Sequence, residues 1–290
     1  MRILILGRGG QVGSAVAALD WGGWEVTAAG REQADLATPA AAQLVASIRP
    51  DMVINAAAWT DVEAAECDPQ ARALAFRING AAPGELGTAC ADIGAWLIHY
   101  STDYVFDGSA PGAYIEDDPP NPPNVYGASK LAGEQAIAAS GCKHLILRTS
   151  WVYSRDGDNF LTRVIARARG AEKLPAQLPI VADQYGAPTW ANTLAEATRL
   201  AARRALAPGA EQASGLYHVT AAGRCNWFEY AQSALSTLGI KVKLQPVSAS
   251  AFPSRARRPA NSVLDASRFV ARFGWIRPQW QDDLKRCLAS

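Results

Sequence analysis

Arg2-Ile-Leu-Ile-Leu-Gly-Arg-Gly-Gly-Gln-Val-Gly13 is the stretch whose reading decides the fold. Four aliphatic residues in a row, too few for a helix and rich in Ile and Leu, suit a buried strand. Gly7, Gly10 and Gly13 then follow at the spacing of a strand-to-helix turn that brings backbone N–H groups against a pyrophosphate. Gln11 and Val12 open the helix, and Gly13 permits close helix–strand packing. Glycines also build ordinary turns, so the surroundings matter. Downstream, strand candidates at Glu25–Ala29, Met52–Ala56, Trp96–Tyr100 and His144–Arg148 alternate with Ala-rich helical stretches at Val12–Leu19, Ala40–Ile48 and Arg72–Cys90. That alternation predicts an α/β protein with a Rossmann-type, doubly wound parallel sheet. Residues 1–150 form the dinucleotide-binding domain. The chain returns to it at about 190–222 through a helix at Ala191–Leu206 and a strand at Gly215–Val219. The segments 151–189 and 223–290 are expected to form a smaller C-terminal substrate-binding lobe.

The 290 residues are 49% hydrophobic, enough for one large core or two that share an interface. Their 28 basic and 27 acidic residues leave a net charge of +1, which speaks against nucleic acid as a partner. The first apolar run is interrupted at Gly7, too soon for a signal segment or a membrane span. Five scattered cysteines, without a C-x-x-C, read as reduced thiols that pack, and a cytoplasmic location follows. His99, inside a strand-like run, reads as a satisfied core group. No His/Cys cluster suggests a metal.

Strand two ends in Gly30-Arg31, where an NAD-specific fold would place an acid for the ribose 2′-OH. A guanidinium there can grip a 2′-phosphate, so NADPH is the expected cofactor; an exposed loop arginine would look the same. Arg8 adds a second positive charge, and Asp35-Leu36 would lie along the adenine edge. The chemistry lies further on. Ser101-Thr-Asp-Tyr-Val-Phe-Asp-Gly108 puts hydroxyls at the carboxyl end of a strand, where an open α/β sheet carries its reaction site. After the proline-rich Asp117–Pro123 comes Tyr126-Gly-Ala-Ser-Lys130. On a helix, residues at i and i+4 share one face. A lysine so placed would lower the tyrosine pKa toward working pH and could hold the nicotinamide ribose. Thr102 would hydrogen-bond the substrate oxygen as charge develops on it.

With these motifs in place the chain resembles the extended short-chain dehydrogenase/reductase family, and within it the reductases of dTDP-linked keto sugars. The match runs nearly end to end. It rests on GQVG from Gly10, RPDMVINAAAWTDVEAAE from Arg49, HYSTDYVFDG from His99, NVYGASKLAGE from Asn124, LRTSWVY from Leu147, DQYGAPT from Asp183, GLYH from Gly215 and RRPANSVLD from Arg257. The resemblance implies reduction of the C4 ketone of dTDP-4-dehydro-L-rhamnose with NADPH, or with NADH. Tyr126 would be the proton donor, Lys130 its partner and Thr102 the orienting hydroxyl. Ala57, Ala58 and Thr60 would line the cofactor. Asp103, Tyr104 and Trp151 would contact the sugar, and Arg257, Arg258 and Asn261 would close over the diphosphate.

Some members of this family are dimers bridged by magnesium through acidic residues, one just after the phosphate turn and one shortly after GAPT. Ser14-Ala15 and Trp190-Ala-Asn192 occupy those places here, so no metal site is carried over, and any homodimer is expected not to be metal-bridged. Two alternatives share the scaffold: a sugar-nucleotide epimerase or dehydratase, and a non-catalytic regulatory subunit like that of methionine adenosyltransferase. Dehydratases usually add carboxylates near the reactive threonine. The intact Thr102, Tyr126 and Lys130 argue against the regulatory subunit.

Overall fold

A computed structural model describes residues 1–170 and 177–290; residues 171–176 of the expected second lobe lie outside the described residues. The first half runs β1 (Arg2–Leu6), α1 (Gln11–Ala17), β2 (Glu25–Ala29), α2 (Ala40–Ile48), β3 (Met52–Asn55), α3 (Val62–Cys67), α4 (Pro69–Phe76), α5 (Ala82–Ile93), β4 (Trp96–Thr102), α6 (Val125–Ala139) and β5 (Lys143–Thr149). After it come β6 (Val152–Tyr153), α7 (Phe160–Arg169), β7 (Leu178–Val181), β8 (Tyr185–Gly186), β9 (Thr189–Trp190), α8 (Ala191–Ala205) and β10 (Gly215–His218). The tail holds β11 (Cys225–Asn226), α9 (Trp227–Thr237), β12 (Leu244–Val247), α10 (Ser267–Phe273) and α11 (Trp280–Ala289).

Six strands pair in the order β10-β5-β4-β3-β1-β2, every pair parallel. The strand order reverses between β1 and β3, which opens a crevice at their carboxyl ends. Alternate residues serve opposite faces. Ile3, Ile5, Ile54, Ile98 and Leu147 pack under α8, while Leu4, Leu6, Val53, Leu97 and Ile146 pack against Val45, Leu86 and Ile137. Both faces are covered by helices, which explains why the central strands read as unbroken apolar runs.

Two sequence expectations need correction here. The stretch Arg72–Cys90 is not one regular helix. α4 and α5 are joined by a π-helical turn, Arg77–Ala81, which admits one extra residue and swings Asn79 inward. The Asn79 side chain accepts from the Trp59 amide at 2.9 Å and donates to the Trp59 carbonyl at 2.9 Å and to Ser129 Oγ at 3.0 Å. It therefore ties the loop after β3 to α6. Secondly, residues 267–275, expected in the smaller lobe, return to the sheet: Phe269, Phe273 and Trp275 join the core beside Tyr217 of β10. An aromatic-rich tail carries no local mark of which core it joins. The smaller lobe's own core gathers Leu161, Val164, Tyr230, Trp280 and Leu284 from α7, α9 and α11.

Candidate active site

The phosphate turn is built by close approach. Gly7 has φ +87°, and a Cβ there would stand 2.6 Å from the Ala57 amide nitrogen. A Cβ on Gly13 would collide with the Gly7 carbonyl. Only hydrogen fits at either place. Gly10 caps α1 without a side chain, so the amides of the first turn, at Gln11 and Val12, face the crevice. Gln11 is further engaged: its Oε1 accepts from Ser154 Oγ at 2.8 Å and Asn159 Nδ2 at 2.9 Å, joining this turn to the smaller lobe. Ala57, Ala58 and Thr60 follow β3 and stay partly or fully exposed. This cradle fits a dinucleotide.

At the adenosine end the outcome is mixed. Arg31 is exposed, but Arg8 is not a free second cation: it is ion-paired with Glu32, the acid one residue beyond Arg31. Glu32 lies over Gly30, where a Cβ would strike its carboxylate. Its own backbone amide and then Arg8 hold its carboxyl below the usual range. Asp35 turns back to accept from the Ala37 amide at 2.9 Å. Leu36 is buried in the core, so its side chain does not line an adenine edge.

Thr102 ends β4, where its Oγ1 accepts from the Tyr104 amide at 3.1 Å and donates to Asp103 Oδ1 at 3.0 Å. Asp103 is 3% exposed, and its Oδ2 has no partner among the described residues. Burial pushes its carboxyl up to about 7, against the pull of neighbouring hydroxyls. Across from it, Asn124 caps α6 by accepting from the Gly127 amide at 2.8 Å, which presents Tyr126 in the first turn. Gly127 has the Tyr104 carbonyl where a Cβ would go, so α6 presses against the end of β4. The Tyr104 and Tyr126 rings meet edge to face, centroids 5.9 Å apart.

Thr102, Asp103, Tyr104 and Tyr126 thus come together at the end of β4, but the effect expected of Lys130 on the phenol is absent. Burial pushes the Tyr126 phenol upward, and the Thr102 hydroxyl pulls partly back. The lysine Nζ instead points into the sheet, donating to the Tyr100 carbonyl at 2.6 Å and meeting His99 Nε2 at 3.0 Å. Sharing a helix face placed the two residues side by side without making the ammonium touch the phenol.

Over this wall runs the segment 254–262. Glu63 of α3 accepts from Ser254 Oγ at 2.7 Å and the Arg255 amide at 2.8 Å. These donors, led by the Arg255 amide, bring its carboxyl down to about 2. Asn124 Nδ2 donates to the Arg257 carbonyl at 2.8 Å, and the Arg258 guanidinium partly offsets the rise that burial and then Asp103 give the Tyr104 phenol. Asn261 is a correction: its amide is committed to the carbonyls of Ala110 at 2.9 Å and Gly112 at 2.7 Å, so it shapes the loop and has no free donor for a diphosphate. Trp151 adopts φ +46° and stacks on Trp227, centroids 3.4 Å apart, with its indole against Gly186. Glu32, Glu63, Asn79, Asn124 and Trp227 were all missed in the sequence. Two carried a local signal: Asn124, an N-cap residue before a helix, and Asn79, which with Gly80 interrupts an Ala-rich helical run.

Ala15 and Asn192 line one cavity of about 830 Å³ beside α1. They offer it a methyl group and an amide, and no carboxylate. No cluster of three or more His, Cys, Asp or Glu among the described residues could hold a metal.

A parallel Rossmann sheet with a glycine cradle, and a threonine and a Tyr-x-x-x-Lys helix meeting at the end of β4, define an oxidoreductase of the extended short-chain dehydrogenase/reductase class. A family profile described as the RmlD substrate binding domain matches residues 1–290. The chain belongs to this family, whose similar members are dTDP-4-dehydrorhamnose reductases. One from Burkholderia thailandensis is 41% identical over 99% of this chain and 98% of its own. A crystal structure of a Bacillus anthracis dTDP-4-dehydrorhamnose reductase in complex with NADP shares 33% identity with a TM-score of 0.90, covering 99% of this chain and 98% of its own. A Thermus thermophilus UDP-glucose 4-epimerase, at 24% identity and TM-score 0.81 over 100% of this chain and 98% of its own, has the same fold.

Proposed function

We propose that this chain reduces the C4 ketone of dTDP-4-dehydro-L-rhamnose to dTDP-L-rhamnose. NADPH, when bound, supplies the hydride to C4. The carbonyl π electrons move onto oxygen, and Tyr126 gives its phenolic proton to that oxygen, which leaves a phenolate that solvent protons restore. Thr102 Oγ1 orients the oxygen and stabilises its developing charge. Asp103 and Tyr104 border the sugar, with Trp151, held by Trp227, as an apolar wall. Arg257 and Arg258 bind the diphosphate.

The observation that carries this reading is the Tyr126 phenol opposite the Thr102 hydroxyl at the carboxyl end of β4, in a chain of this family. Exposed Arg31 supports NADPH. Glu32, which neutralises Arg8, leaves room for NADH as well. None of the helices among the described residues is long and apolar enough to cross a membrane. The reading includes a cytoplasmic protein and, if two copies associate, a dimer that no cation bridges.

The test is to mix purified protein with NADPH and dTDP-4-dehydro-L-rhamnose and follow cofactor absorbance. One NADPH should be consumed per dTDP-L-rhamnose formed, and the UDP-linked ketone compares the base. Interconversion of sugar nucleotides without net NADPH loss would replace this reading with an epimerase.

A further inference from the structure

At the inner end of the site, three buried groups have more donors than acceptors. Asn55, at the end of β3, accepts from the Ala57 amide through Oδ1 at 3.1 Å, so its Nδ2 faces His99 Nδ1 at 3.1 Å. An amide nitrogen only donates, which makes Nδ1 the acceptor of the ring. The single proton of a neutral imidazole then sits on Nε2, 3.0 Å from Lys130 Nζ. An N–H facing an ammonium is donor against donor. The contact becomes a hydrogen bond only when Nζ offers a lone pair, and a neutral amine can still donate to the Tyr100 carbonyl at 2.6 Å. His99 does not escape by gaining a second proton: it is 1% exposed, and burial and then Lys130 push its pKa well down. Burial likewise lowers Lys130, to about 8, against the pull of Glu134.

The surroundings leave this conflict in place. On α6, Glu134 is already bidentate to Arg148 of β5, at 2.9 and 2.6 Å, and Tyr126 is a neutral phenol. Beyond the end of β4 stands Asp103, with its own pKa raised. β3 and the π turn contribute neutral amides, Asn55 and Asn79.

We propose that His99 is a positioning residue for proton delivery: through Nε2 it favours the neutral amine of Lys130 over the ammonium until the dinucleotide binds. Lys130 then takes one proton from solvent and turns from the imidazole to the cofactor. Only an N–H bond forms, and the charge of the protein rises by one. The phosphates of the cofactor favour that charge, and its ribose hydroxyls accept from it. The ammonium that the phenol of Tyr126 lacks in the free protein is thereby made in the complex. This rests on the Tyr126–Lys130 reading above.

Calorimetry of NADPH binding, in two buffers of different ionisation enthalpy, measures the proton directly. At pH 8.5 the wild type should take up more than about half a proton per site, falling toward zero at pH 6, and Lys130→Met should take up none. His99→Gln presents an amide oxygen that accepts from an ammonium. Uptake should then drop several-fold, and the alkaline limb of kcat/KM should move up by about one pH unit. His99→Leu offers no acceptor, so the limb should stay or move down. Negligible wild-type uptake at pH 8.5, or Gln and Leu variants that shift the limb alike, would overturn the proposal. If His99→Leu does not fold, the fall in uptake of His99→Gln relative to the wild type still decides. Failure of the substrate reading looks different: no ketone is turned over while proton uptake on NADPH binding persists.

Discussion

The two walls of the cleft are held by different forces. The cofactor wall hangs on the sheet: Gly7 and Ala57 follow paired strands, and the register Leu6↔Asn55↔His99 is set by backbone ladders. Among the described residues, the wall proposed for the substrate, 254–262, is anchored to the backbone only at its far end, where Tyr185 bonds Ala260 and Ser262, each at 2.8 Å. The rest hangs on single side chains that reach across the molecule, Glu63 to Ser254 and Arg255, and Asn124 to Arg257. A ladder shares its load among many amides, so one substitution matters only where it removes space, as at Gly7 or Gly13. A stitched segment depends on each stitch. Substitutions on the two walls should therefore separate cofactor binding from sugar binding.

Tyr126 stands where the walls meet, and its loss should be the largest effect. Tyr126→Phe keeps the ring and removes the transferable proton, so kcat should fall on the order of 10²-fold or more. NADPH affinity measured by fluorescence should stay within about twofold. Near-native kcat in this variant would remove the tyrosine from the mechanism.

Asp103→Asn tests the wall's electrostatics through stability. The folded protein holds the Asp103 proton up to about pH 7, whereas an unfolded aspartate loses it near 4. Between these values the native state binds more protons, so wild-type stability declines as pH rises through that window. The asparagine variant lacks the decline. Its advantage in denaturant unfolding should be near zero at pH 4 and reach on the order of 3 kcal/mol at pH 8. A gap independent of pH would contradict the buried carboxyl.

Breaking one stitch is gentler. Glu63→Gln should raise KM for the sugar nucleotide about threefold to tenfold and leave the NADPH constant unchanged, because the carboxylate's bonds are exposed to water. Equal changes in both constants would mean that the two walls are not independent. On the other wall, Arg31→Ala should weaken NADPH by about threefold to tenfold relative to NADH, since exposure and salt screen the contact. Paired KM values at fixed ionic strength decide this. EDTA should change neither rate nor light-scattering mass, given the methyl group of Ala15 and the amide of Asn192.

Parts of this contrast were legible beforehand. The βαβ rhythm, the glycine turn and the Tyr126/Lys130 pair are all local patterns, and local patterns survive in one dimension. The stitches do not. Glu63 and Arg255 are far apart in the chain and carry no periodic mark, and Glu32 escaped notice although it directly follows Arg31. The π turn around Asn79 was obscured for another reason: Asn79-Gly80 is a poor helix-forming pair that reads equally as a break or a turn, and only packing against Gly133 of α6 shows that the helix continues with an extra residue.

By itself, the sequence determined the parallel sheet, its order of helices and strands, the hydrogen-only positions Gly7 and Gly13, and the identity of Thr102, Tyr126 and Lys130. Those follow from hydrophobic period, steric limits and side-chain chemistry, which act between near neighbours. Only the tertiary structure decided that Arg8 is spent on Glu32, that Asn261 holds a loop, and that Lys130 faces His99 and not Tyr126. Each depends on which donor meets which acceptor across the fold. In a buried site that pairing, more than residue type, sets where a proton resides.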